Sequence, residues 1–123
     1  MKIRIRGNSI RFRLTKSEVD TFCQQGFIEA TTDFGDSVFN YALKSKKGIE
    51  TIDAEFKENT VILYLEQEIS KNWNNSSQVG FNHSLKKENN TILNLLIEKD
   101  FVCMDESAED QSDNYPNPKM ILK

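Results

Sequence analysis

The chain has 123 residues, 37% of them apolar and 28% charged, with a formal net charge of −3, two cysteines, one histidine and one tryptophan. That size fits one domain able to bury roughly 65% of its unfolded surface without disulfide or metal staples. Two thiols make no disulfide framework, one histidine without a CxxC argues against a four-ligand zinc site, and GxGxxG, GxxxxGK[ST] and GxSxG are all absent, which excludes the common nucleotide-binding and acyl-transfer signatures.

Residues 2–14 alternate strictly. Ile3, Ile5, Ile10, Phe12 and Leu14 are apolar, and Lys2, Arg4, Arg6, Arg11 and Arg13 stand between them. Gly7-Asn8 at the middle predicts a hairpin with a two-residue turn. Ile5 then faces Ile10 and Ile3 faces Phe12 on one side; Arg4 faces Arg11 and Lys2 faces Arg13 on the other. Charges interrupt every apolar residue of this start, so it does not read as a secretory signal. No run approaches the ~20 apolar residues of a membrane-spanning helix, and a cytoplasmic location is expected.

At Thr15 the period changes. Thr15 and Glu18 make a capping box, Val19, Phe22 and Cys23 follow at helical spacing, and Gly26 is a natural terminator. Cys23 on that apolar face reads as core. Strand signals return in 27–34, 37–44, 49–57 and 60–65, interrupted by Gly35-Asp36, Lys47-Gly48 and Glu58-Asn59. Connections this short predict an antiparallel meander. Residues 66–74 read as a second short helix with Ile69 and Trp73 turned to the core. Residues 79–85 and 91–101 are the last strands, joined by a polar turn over 86–90. The apolar run 92–97 predicts a central strand buried on both faces. His83, with no second histidine, reads as a surface or hydrogen-bonded side chain. The sequence shows no internal repeat.

The end differs in composition. Residues 105–113 hold five acids in nine, and both prolines follow at Pro116 and Pro118. Regular structure should end before this point. The expected organisation is one domain over 1–104 and an acidic loop or tail over 105–123, packed on the body or extending from it.

Charge is segregated along the chain. All four arginines lie in the first 13 residues, and 1–17 carry six basic groups and no acid. Residues 98–118 carry seven acids and Lys99. A guanidinium forks two donors onto a carboxylate or phosphate, whereas an ammonium is a mobile point charge. A chain with twelve lysines that places every arginine on one hairpin face therefore predicts a surface facing anions. Arg4, Arg6, Arg11 and Arg13 are the candidate anion-binding residues.

The anion has two sources. It can be the protein's own carboxylates, the commoner case for a charge-rich sheet face. Glu98 and Asp100 on one side of the last strand, and Asp105 beyond it, are the candidate partners. It can instead be an external phosphate or carboxylate. A third arrangement joins the two: the acidic tail covers the arginines and competes with an outside ligand. Nucleic acid is disfavoured, because the sequence pI of about 5.2 lies far below the value above ~9 usual for such domains. No aromatic platform accompanies the basic row either. Paired carboxylates at Glu98, Asp100 and Asp105 could also hold Mg²⁺ or move a proton. No nucleophile or base motif stands with them, and no cofactor is implied. Cys103, beside acids, should be an unreactive thiol.

The start, Met1-Lys2-Ile3-Arg4-Ile5-Arg6-Gly7-Asn8-Ser9-Ile10-Arg11-Phe12-Arg13-Leu14, and the end, Glu98-Lys99-Asp100-Phe101-Val102-Cys103 with Glu109-Asp110-Gln111-Ser112-Asp113-Asn114-Tyr115-Pro116-Asn117-Pro118, together resemble a family of small bacterial proteins of unknown function, mostly from Bacteroidetes. The resemblance runs the length of the chain and brings no activity, cofactor or catalytic residue with it. It implies that the arginine-rich start and the acidic end belong to one design.

The expected fold is α+β: one curved, mostly antiparallel sheet of seven or eight strands, half-closed, with two short helices. The first helix should cover Ile3, Ile5, Ile10 and Phe12. The expected function is a non-enzymatic binding or regulatory module with an arginine-lined anion face. Its partner would be an anionic small molecule or a protein, not nucleic acid and not a membrane. One alternative is a small enzyme acting on a phosphorylated or carboxylated metabolite. Another is a structural or interaction module built on an internal arginine–carboxylate network.

Overall fold

The computed structural model describes residues 1–101, 113 and 115. Along the chain run β1 (Lys2–Arg6), β2 (Ser9–Leu14), α1 (Lys16–Gln25), β3 (Phe27–Asp33), β4 (Val38–Lys46), β5 (Ile52–Lys57), β6 (Thr60–Glu66), α2 (Gln67–Lys71), one 3-10 turn (Trp73–Asn75), β7 (Gly80–Lys86) and β8 (Ile92–Lys99). The class is α+β, but the strands form two four-stranded sheets rather than one. Their orders are β1-β2-β8-β7 and β3-β4-β6-β5, and neither closes into a barrel.

Local signals set the local structure. The β1–β2 register pairs Lys2 with Arg13, Ile3 with Phe12, Arg4 with Arg11 and Ile5 with Ile10, as alternation about Gly7-Asn8 requires. Gly7 sits at φ 53°, where a side chain is strained. Thr15 caps α1: its side chain accepts from the Glu18 backbone N–H, and the Glu18 carboxylate accepts from the Thr15 N–H. Gly26, at φ 81°, ends the helix in the left-handed region.

Pairing between distant strands departs from the meander. β2 runs parallel to β8, and β4 runs parallel to β6. Each half of the chain is a hairpin, a helix and two more strands. The hairpin of each half pairs with the last two strands of the other half. The two sheets match position by position: Ser9 opposite Asn94 corresponds to Thr60 opposite Asn40, and Leu14 opposite Lys99 to Leu65 opposite Ser45. Backbone bonds repeat too, with the Asn94 N–H on Asn8 O and the Asn40 N–H on Asn59 O, both 2.9 Å. Ser84 Oγ donates to Asn94 Oδ1 at 2.9 Å, and Thr31 Oγ1 donates to Asn40 Oδ1 at 2.7 Å. The repeat absent from the sequence is thus present in the topology. Backbone pairing needs alternation, not identity, so Ile5 and Phe56, or Phe12 and Leu63, serve in the same place.

The core lies between the sheets. Phe12, Leu14, Leu43, Leu63, Leu65, Leu95 and Ile97 meet there, closed at one end by Val19, Phe22 and Trp73. Three expectations change. α1 packs mainly on β3 and the 3-10 turn and meets the hairpin through β2, so Ile5 stays exposed, and Phe12 meets the Tyr41 ring edge-on at 5.8 Å. The second helix is shorter than 66–74 and breaks at Asn72 into the 3-10 turn that buries Trp73, while Ile69 is exposed. β8 is central but not buried on both faces: Leu95 and Ile97 face the core, whereas Ile92 and Asn94 are exposed. Among the described residues no helix is long and apolar enough to cross a membrane.

Leu14 and Leu65 are both fully buried and occupy matching places. Leu14→Ala and Leu65→Ala should each lower the urea-unfolding free energy by about 2–5 kcal/mol. A loss under about 0.5 kcal/mol, the size of a surface change, at either position would contradict the shared core role.

Candidate anion-binding site

The four strands of the first sheet present rows of side chains on their outer face. One row is Lys2, Arg13, Glu98 and Gly80; the next is Arg4, Arg11, Leu96 and Asn82; the next is Arg6, Ser9, Asn94 and Ser84. The last two rows line a groove of about 510 Å³. All four arginines therefore share one face, set there by alternation along β1 and β2.

The parallel strand β8 brings carboxylates to part of that face. Arg13 Nε donates to Glu98 Oε1 at 2.7 Å, and Arg11 Nε lies 3.6 Å from the same oxygen. Lys2 Nζ lies 3.3 Å from Asp100 Oδ2. One carboxylate so answers two guanidiniums. No carboxylate among the described residues reaches Arg4 or Arg6, and both are exposed at the groove. Ser84 Oγ donates to the Asn94 amide oxygen, so the amide's further hydrogen-bonding capacity is chiefly its two Nδ2 donors. Three guanidiniums, Arg4, Arg6 and Arg11, line the groove, and no carboxylate among the described residues lines it.

Gly80 positions Glu98. A Cβ at Gly80 would lie 2.5 Å from Ile97 O and 2.8 Å from Glu98 Cβ. Only glycine lets β7 close against the strand carrying Glu98. Sequence reasoning missed this role; a glycine opening a strand was the available signal.

The tail's described residues lie elsewhere. Asp113 sits at the start of α1: its Oδ2 accepts from Ser17 Oγ at 2.6 Å, its Oδ1 from the Ser17 N–H at 3.3 Å, and its backbone O from the Lys16 N–H at 3.0 Å. Tyr115 pairs with Phe101, its N–H donates to Asp100 O, and its ring lies 5.0 Å from Lys99 Nζ. Burial pushes the Tyr115 hydroxyl up to about 12. Lys99 faces the core, donates to Ser76 O at 2.7 Å and is shifted down by burial. Cys23 is half-buried, bonded to Ser70 O, and shifted up by burial. His83 falls on the core side of β7, half-buried. Asp105, Cys103 and most of 105–123 lie outside the described residues. Among the described residues no three His, Cys, Asp or Glu side chains gather as a metal site would require.

One family model matches residues 1–119. The chain belongs to DUF7009, a family of unknown function. No curated protein and no solved structure matches it. Membership of DUF7009 thus covers the hairpin, both sheets and most of the acidic end without supplying a role for any residue.

Hydrogen bonds from Ser17, and then Thr15, hold the Asp113 carboxyl below the usual aspartate value. A folded value below the unfolded one adds stability above the unfolded value, and that stability is lost as pH falls through the folded value. Wild type should therefore exceed Asp113→Asn in melting temperature at neutral pH, and the gap should close once the Asp113 carboxyl is protonated in the folded as well as the unfolded state. A gap constant down to that acidity would contradict the contact.

Proposed function

We propose that DUF7009 proteins of this type are non-enzymatic binding modules whose arginine groove holds a small phosphate- or carboxylate-bearing ligand. The observation that carries the reading is the pair Arg4 and Arg6, two guanidiniums at a donor-lined groove with no carboxylate among the described residues within reach. Two like charges on neighbouring positions repel, and an anion between them removes that cost.

The second sheet acts as an internal control. Its matching outer rows hold Glu55, Ile62 and Ala42 where the first sheet has Arg4, Arg11 and Leu96, and Lys57 and Thr60 where it has Arg6 and Ser9. The same backbone therefore forms without arginines. Even the ion pair at the end of the face recurs with its signs exchanged: Asp53 and Lys46, 3.6 Å apart, stand where Lys2 and Asp100 stand. Fold stability alone gives no reason to gather guanidiniums on one side. The enzymatic alternative draws less support, because Glu98 and Asp100 are already engaged by cations.

Calorimetric titration with inorganic tripolyphosphate at low salt tests this. Binding should be saturable, and Arg4→Ala with Arg6→Ala should weaken it about tenfold or more, since charged bonds in a pair carry roughly 1.5–3 kcal/mol each. Glu98→Gln should tighten it by releasing Arg11 and Arg13, and added salt should weaken it. Equal affinity in the double variant and wild type would sink the proposal.

A further inference from the structure

The two sides of the arginine groove differ chemically. From the β1 edge inward, one row reads Arg4, Arg11, Leu96 and Asn82, and the next reads Arg6, Ser9, Asn94 and Ser84. Every cation of these rows stands on β1 or β2, while β8 and β7 supply amides, a hydroxyl and one apolar side chain. Neighbouring strands lie about 4.8 Å apart, so roughly 10 Å separates Arg11 on β2 from Asn82 on β7. The groove thus has a cationic end, an apolar floor at Leu96 and a neutral hydrogen-bonding end.

The cationic end sets the charge of the anion. Arg4 and Arg6 meet no carboxylate among the described residues, and Arg11 lies 3.6 Å from a Glu98 oxygen that Arg13 holds at 2.7 Å. Two unanswered guanidiniums match a dianion. A phosphate monoester carries about −1.5 to −2 charges at neutral pH and three acceptor oxygens, whereas a carboxylate carries a single charge and two oxygens. The neutral end sets the rest of the ligand, because a polyphosphate reaching past Arg11 would meet no further cation in these rows. Asn82 is exposed, and no side chain among the described residues bonds its amide. Amides donate and accept, which matches hydroxyl groups. No Phe, Tyr or Trp among the described residues lines the groove, so a nucleobase has no ring to stack on. The second sheet repeats the amide–hydroxyl row with Asn40 and Thr31, but Glu55 stands in the place of Arg4 and Glu29 in the place of Asn82. Guanidiniums facing a neutral amide across the strands belong to the first sheet alone.

We propose that the ligand of this groove is a sugar phosphate, an inference that rests on the anion-binding reading above. The phosphate monoester lies among Arg4, Arg6 and Arg11, the sugar ring covers Leu96, and its hydroxyls bond Asn82 and Asn94. The arginines hold the phosphate, and the two asparagines select what the phosphate is attached to.

Calorimetric titrations of the full chain at low salt with ribose 5-phosphate, glucose 6-phosphate, adenosine monophosphate and inorganic phosphate test this. At least one of the two sugar phosphates should bind about tenfold tighter than inorganic phosphate, through the added hydrogen bonds. Asn82→Ala with Asn94→Ala, both at exposed positions, should erase that margin and leave the inorganic phosphate affinity unchanged. Adenosine monophosphate should bind no tighter than ribose 5-phosphate. If neither sugar phosphate outbinds inorganic phosphate, or the margin survives in the asparagine variant, the sugar-phosphate proposal falls. The anion groove itself still stands in that case if Arg4→Ala with Arg6→Ala weakens inorganic phosphate. Adenosine monophosphate bound about tenfold tighter than ribose 5-phosphate would also overturn the proposal, because the base would then be what is read. Affinities unchanged in the arginine variant would overturn both readings.

Discussion

The arrangement depends on each half of the chain lending its hairpin to the other half. β2 lies parallel to β8 and β4 parallel to β6; both pairings are long-range, and neither hairpin has a full sheet without them. A two-stranded ribbon on its own is marginal in water, whereas four strands with an apolar face can bury a core. The exchange locks the two halves into one cooperative body. It also fixes which residues meet on the outside, because a one-residue slip in either parallel pair would turn the apolar set outward.

The proposed function rests on the same exchange. The β2–β8 pairing brings Glu98 opposite Arg13 and within reach of Arg11. It ends there, since the outward positions after Glu98 along β8 toward Arg6 are the uncharged Leu96 and then Asn94. The acids of this strand neutralise one end of the basic face and leave the other end to Arg4 and Arg6. The matching face of the second sheet carries mixed charges and an apolar centre. One scaffold thus presents two chemically different surfaces, and the difference lies wholly in the outward residues. Exposed ion pairs contribute little to stability, about 0–1 kcal/mol.

Much of the local structure was legible in the sequence. The register of β1 and β2, the Thr15–Glu18 capping box and the Gly26 terminator rest on neighbours a few residues apart, where alternation and capping chemistry act directly. The number of sheets was not legible. Alternation says that a strand has two faces, not which strand lies beside it, and short connections suggested neighbours where the fold inserts β6 between β4 and β5. The topological repeat was hidden because matching positions hold different side chains, as with Arg11 and Ile62. The arginine cluster could be seen, and so could its acidic counterweight. What could not be seen was that Glu98 would serve Arg11 and Arg13 while no carboxylate among the described residues reached Arg4 or Arg6. Tail residues Asp113 and Tyr115 went to α1 and Lys99 rather than to the arginines for a reason equally invisible in composition: Ser17 and Asp100 offer them backbone and hydroxyl partners.

The central claim is that the arginine face is divided, with Arg13 satisfied by the protein and Arg4 and Arg6 held for an outside anion. Arginine Nε–H resonances read this residue by residue. During a titration with tripolyphosphate at low salt, the account predicts that the Arg4 and Arg6 signals shift and their exchange with water slows, while Arg13, bonded to Glu98, stays in place. Four signals moving together, or none moving, would contradict it.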